Sequence, residues 1–152
     1  MALQESKRYL EIAKKLISRY PDTYGHVDLS RTLFLEEDEK APKQKYADCR
    51  VIKYPYDYFT DVKFIITVYA NNVLSFTDAQ FNLLVAHEMM HIDESFEKLR
   101  KHDVEDFLEI IAFAGNPAWP SDPRIPDILE DGPHTKAHVV TPVVEDEPIP
   151  VF

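Results

Sequence analysis

The sequence predicts an α+β domain, and three stretches carry that prediction. Residues 3–20 set Leu3, Tyr9, Leu10, Ile12, Ala13, Leu16 and Ile17 at helical spacing. Residues 62–70 read Val-Lys-Phe-Ile-Ile-Thr-Val-Tyr-Ala, a run rich in β-branched and aromatic side chains. Further on, Phe81, Leu83, Leu84, Val85, Met89, Met90 and Ile92 nearly encircle a helix, the pattern of one buried in a core. Together these predict an N-terminal helix, a small sheet of about three strands and two closing helices. At 152 residues, 45% of them hydrophobic, the chain can fill one core and not two.

The first helix carries Lys7, Arg8, Lys14 and Lys15 between its apolar positions, so its basic face should be solvated, and Pro21 ends it. A turn over 21–25 leads past His26, which is isolated in sequence and reads as a surface or hydrogen-bonded imidazole. The first strand follows at 31–35, and the charged, aperiodic run 36–45 reads as an exposed loop. A second strand is expected at 47–54. Its Cys49 has no CxxC partner, which makes it a bystander thiol and not a nucleophile. The aromatic run Tyr54-Pro55-Tyr56-Asp57-Tyr58-Phe59 should pack a loop against the core, from which one tyrosine can reach a reacting oxyanion.

After the third strand at 62–70, Thr77 and Gln80 have the spacing of a capping box, opening a helix from Asp78 to about Phe96. A second helix is expected at 104–114, with Asp103 as N-cap, Asp106 in capping-box register and Gly115 near its end. From 116 onward the chain holds eight of its eleven prolines and no helical period. One domain over residues 1–115 and a proline-rich extended tail over 116–152 follow from this. In the tail, His134 and His138 lie four apart, but Gly132-Pro133 and Val139-Val140 around them argue against a helical metal pair. The apolar stretch 139–144 can add a strand or lie in a cleft as an autoinhibitory segment.

The chemistry concentrates in His87-Glu88-Met89-Met90-His91, an H-E-x-x-H arrangement. At about 100° per residue, His87 and His91 leave the same face of a helix and can share one metal ion, while Glu88 sits beside them, placed to act on the metal's water as a general base. A catalytic zinc takes three protein ligands and keeps a position open. His102, expected just before the second helix, is the favoured third ligand. Glu109, eighteen residues after His91, is the alternative, and Asp106 can hold an imidazole N–H from behind. Nitrogen ligands favour zinc over magnesium or calcium and leave iron, cobalt and manganese open.

With its His87-Glu88-Met89-Met90-His91 and His102-Asp103-Val104-Glu105-Asp106-Phe107 segments, followed by Phe113-Ala114-Gly115 and Trp119, the chain resembles the putative phage metallopeptidases, relatives in layout of the SprT-like zincins. The distance from His91 to His102 is too long for the metzincin pattern. The resemblance implies a zincin-like fold, zinc on His87, His91 and His102, and Glu88 as base in the hydrolysis of a peptide bond of a protein or peptide substrate. It also implies that the strand just before the metal helix edges the cleft and pairs with the substrate. A different class of function stays open beside it, a catalytically inactive, zinc-stabilised binding protein that uses the cleft to hold a protein partner.

The formal net charge of −10 counts against direct nucleic-acid binding through a broad basic face. No apolar run approaches the length of a membrane span. One cysteine and no apolar signal core in residues 1–8 lead to the expectation of a cytoplasmic protein, in the bacterial host if phage-encoded.

Overall fold

A computed structural model describes residues 3–40, 42–102 and 106–132. Strand β1 (Leu3–Glu5) is followed by helix α1 (Lys7–Arg19) and a one-turn helix α2 (Pro21–Tyr24). Strands β2 (Thr32–Glu37), β3 (Ala47–Val51) and β4 (Phe64–Tyr69) come next, then helices α3 (Asp78–Met90) and α4 (Leu108–Ala114). The sheet order is β1-β2-β4-β3, with β2 parallel to β4 and both outer strands antiparallel to their neighbours. The architecture is α+β, consistent with a zincin-like domain, with four strands where the sequence predicts about three.

The additional strand is taken from the start of the predicted first helix, and Ser6 explains the change. Its backbone N–H donates to the Phe34 carbonyl at 2.8 Å, prolonging the pairing of β1 with β2, while its Oγ accepts from the Tyr9 N–H at 3.2 Å and caps α1. Beyond that cap the helical spacing holds, and Tyr9, Ile12, Ala13 and Leu16 form the buried stripe.

Along β4 the alternation is plain: Phe64, Ile66 and Val68 are buried, and Ile65 and Thr67 are half-buried on the opposite face. Register sets Phe34, Ile66 and Cys49 in one cross-sheet row and Glu36, Val68 and Ala47 in the next. Tyr9 Oη donates to Glu36 Oε2 at 2.9 Å, tying α1 to the sheet. Because β4 is paired on both sides, the strand before the metal helix is internal and does not edge a cleft. One edge of the sheet is β3, against which α3 packs and whose other side pairs with no strand among the described residues.

Both bonds of the capping box at α3 are made: Gln80 N–H to Thr77 Oγ1 at 3.2 Å and Thr77 N–H to Gln80 Oε1 at 2.7 Å. The helix stops with His91 as C-cap, short of the predicted end near Phe96. Asp93 is the reason. Its carboxylate accepts from both the backbone N–H and the hydroxyl of Ser95, Phe96 takes a left-handed φ of 58°, and Ile92 bridges back to Leu99. A tight reversal replaces another helical turn.

Helix α4 begins at Leu108, not near 104, and Phe107 in its N-cap position makes no side-chain cap bond. Asp106 is therefore not part of a capping box, and Asp103 lies outside the described residues. Gly115 closes the helix at φ 75°, its N–H bonded to the Ile111 carbonyl at 2.8 Å, as its place in the sequence predicts. Burial does not stop at residue 115, because Trp119, Ile125 and Ile128 belong to the core. Polar contacts hold the same segment: Gln80 Nε2 donates to the Trp119 and Pro120 carbonyls, and Tyr20 Oη to that of Ile128 at 2.8 Å. Residues 133–152, with His134, His138 and the 139–144 stretch, lie outside the described residues.

Candidate metal centre

The last turn of α3 presents His87 and Glu88, 0% and 1% exposed, and the C-cap presents His91. The reversal at 92–99 then brings the chain back along the helix end. Arg100 N–H donates to the His91 carbonyl at 2.5 Å, and His91 Nδ1 donates in turn to the Arg100 carbonyl at 2.8 Å. Two residues later His102 arrives with its Nε2 3.1 Å from His87 Nε2 and 3.0 Å from His91 Nε2. All three candidate ligand atoms lie within 4.8 Å of one another, a cluster that can hold a metal ion. Phe107 packs against the three rings together, its centroid 5.2, 4.9 and 5.2 Å from those of His87, His91 and His102.

The outward nitrogens decide what the inward ones offer. A carbonyl can only accept, so His91 carries its proton on Nδ1, and burial, aided by the neighbouring His87, pulls its imidazolium down to about 4. At neutral pH His91 Nε2 is therefore a lone pair. His87 Nδ1 lies 2.5 Å from Asp106 Oδ1, and a carboxylate there holds the same tautomer. His102 Nε2 faces both lone pairs, and a single N–H can serve only one at a time. Three nitrogens on a tetrahedral zinc would stand about 3.3 Å apart. The observed 3.0 and 3.1 Å from His102 Nε2 to the other two are close to that spacing, which suits a shared metal ion.

Asp106 is itself 0% exposed. Its Oδ1 also accepts from the Phe107 N–H at 2.6 Å, and its Oδ2 accepts from Trp119 Nε1 at 2.8 Å. Glu88 contrasts with it: Oε2 is buried without a hydrogen-bond partner among the described residues, 3.9 Å from His87 Nε2. Burial pushes this carboxyl up to about 7; His87 opposes the shift, while Asp48 and Asp106 add to it. A buried carboxylate oxygen without a hydrogen bond, beside an imidazole cluster, is suited to accept a proton.

Other candidates fall elsewhere. Glu109, the alternative third ligand, is more than half exposed and pairs with Arg100 at 3.3 Å, outside the histidine cluster. His26 Nε2 meets the Ile92 carbonyl at 2.9 Å, the hydrogen-bonded role its isolation in sequence predicts. Cys49 is half-buried and burial raises its thiol well above the usual range, which suits a bystander. Tyr54, Tyr56 and Tyr58 stand 76%, 70% and 78% exposed, so the aromatic run turns outward instead of packing on the core. Two groups at the site have no role there that the motifs assign. The Arg100 carbonyl has no sequence signal at all, whereas Trp119, a lone tryptophan in a proline-rich stretch, had one available: a buried indole N–H requires an acceptor.

A family model described as putative phage metallopeptidase matches residues 1–130. The chain belongs to that family. Membership in the putative phage metallopeptidases implies a metal-dependent hydrolase acting on protein or peptide substrates, in agreement with the three-histidine cluster. No curated protein and no solved structure matches the chain. No helix among its described residues is long and apolar enough to cross a membrane.

Proposed function

We propose that this protein is a zinc metallopeptidase in which His87, His91 and His102 hold the ion and Glu88 is the general base. The observation that carries the reading is the convergence of three imidazole Nε2 atoms beside a buried carboxylate oxygen that has no hydrogen-bond partner among the described residues. When bound, zinc makes water a nucleophile near neutral pH and polarises a carbonyl. Glu88, its carboxyl raised by burial, takes a proton from the attacking water and delivers it to the leaving amine. Asp106 and the Arg100 carbonyl keep His87 and His91 in the tautomer whose Nε2 faces inward. Phe107 packs against all three rings and limits their rotation.

The substrate is a polypeptide laid in extended form along the outer edge of β3, the strand that packs beside α3. A lone cysteine and a net charge of −10 fit a protein that works in the cytoplasm, of the bacterial host if phage-encoded, without contacting nucleic acid directly.

Metal content by mass spectrometry, followed by a peptide-library cleavage assay, tests the reading. One zinc per chain is expected in wild type and in Glu88→Gln, with cleavage only in wild type and zinc lost in His102→Ala. Stoichiometric zinc with no cleavage of any peptide would instead favour a zinc-stabilised binding protein. Absence of zinc after loading the wild type would overturn both.

A further inference from the structure

Deepening that reading, we propose that Trp119 is a positioning residue for the metal site, acting through Asp106 on His87. The three side chains form one buried line: Trp119 Nε1 to Asp106 Oδ2 at 2.8 Å, and Asp106 Oδ1 to His87 Nδ1 at 2.5 Å. Trp119 and Asp106 are both 0% exposed, so water cannot replace the indole N–H at Oδ2. A carboxylate held at one oxygen can swing about its Cβ–Cγ bond. Asp106 is held at both, because the Phe107 N–H fixes Oδ1 while Trp119 fixes Oδ2. With the carboxylate locked, the imidazole of His87 keeps its Nδ1 proton outward and its Nε2 lone pair toward the other two histidines.

Trp119 is also fastened at its main chain. Its carbonyl accepts from Gln80 Nε2 at 3.2 Å, and Gln80 is the residue that completes the capping box of α3. One glutamine thereby ties the N-terminus of the helix carrying His87 to the residue that orients His87 from outside the helix. Removing the indole N–H leaves a buried carboxylate oxygen without its donor and loosens the imidazole, even if the hydrophobic packing is unchanged.

The test uses the full chain and reads zinc affinity by competition with a chromophoric chelator. Residue 119 is the chain's one tryptophan. Growing the protein with benzothienylalanine, in which sulfur takes the place of the indole N–H, therefore deletes that donor alone and keeps the ring. A rise of tenfold to about a hundredfold in the zinc Kd is expected, both in this protein and in Trp119→Phe. In an Asp106→Asn background the same replacement should add little, because its effect runs through the carboxylate. Unchanged affinity in the benzothienylalanine protein, with wild type binding one zinc, would overturn the positioning role and leave the peptidase reading intact. An equal added loss in the Asp106→Asn background would overturn it as well. A wild type that takes up no zinc overturns the metal reading and this proposal together. Should Trp119→Phe fail to fold, the isosteric replacement decides.

Discussion

His91 Nδ1 donates to the carbonyl oxygen of Arg100 at 2.8 Å, and the Arg100 N–H returns a bond of 2.5 Å to the His91 carbonyl. This reciprocal pair clamps the end of α3 to the segment that delivers His102 two residues later. The reversal that makes the clamp possible hangs on Asp93, which accepts from the Ser95 N–H at 2.8 Å. Asp93→Ala should therefore cost about 1 kcal/mol of stability in urea unfolding and also weaken zinc binding, although Asp93 is no ligand. Zinc affinity equal to wild type in that variant would show that His102 is held by other means.

In the metal-free protein two buried groups impose opposite pH dependences. Burial pushes Glu88 up to about 7 in the folded state against 4.5 for a solvated carboxyl, so the folded state holds the proton more tightly and stability falls as pH rises through that window. The Tm advantage of Glu88→Gln over wild type should widen from about pH 5 and level off above about pH 7. His91 behaves inversely: titrating near 4 against 6.5, it is protonated first in the unfolded chain, and stability falls as pH drops through that window. His91→Gln should lose that acid-side slope. Melting in the presence of a chelator across pH 4 to 8 checks both, and gaps that do not change with pH would sink the assignment.

Phe107 is fully buried and touches all three histidine rings. Phe107→Ala should cost about 3–5 kcal/mol in urea unfolding of the metal-free protein, the range for emptying a packed aromatic site. It should also lower zinc affinity, because the rings lose the wall that orients them. A small loss of stability would mean that the rings are held by their hydrogen bonds alone.

The exposed aromatic run predicts the opposite. Tyr54→Ser, Tyr56→Ser and Tyr58→Ser should each shift stability by no more than about 0.5 kcal/mol, since these side chains lie 70–78% open to solvent. A loss of several kcal/mol at any of them would place that ring in the core.

By itself the sequence determined much that depends on a short period or a fixed spacing. The stripe Tyr9, Ile12, Ala13, Leu16, the alternation of Phe64, Ile66 and Val68, the Thr77–Gln80 capping box, the Gly115 helix end and the H-E-x-x-H pair are all local, because helix and strand geometry set which side chains share a face. Even the convergence of His102 on His87 and His91 could be anticipated, since zinc chemistry calls for a third ligand. What only the folded structure decided is which of several competing partners a polar group takes. Ser6 serves Phe34 as well as Tyr9, which makes residues 3–5 a strand. Asp93 takes Ser95 and ends α3 early. Asp106 leaves its predicted cap for His87 and Trp119. At Ser6 and Asp106 a polar group met a partner that folding brought near, and that bond outweighed the local preference the sequence displays, whereas at Asp93 an exposed turn bond two residues away did so.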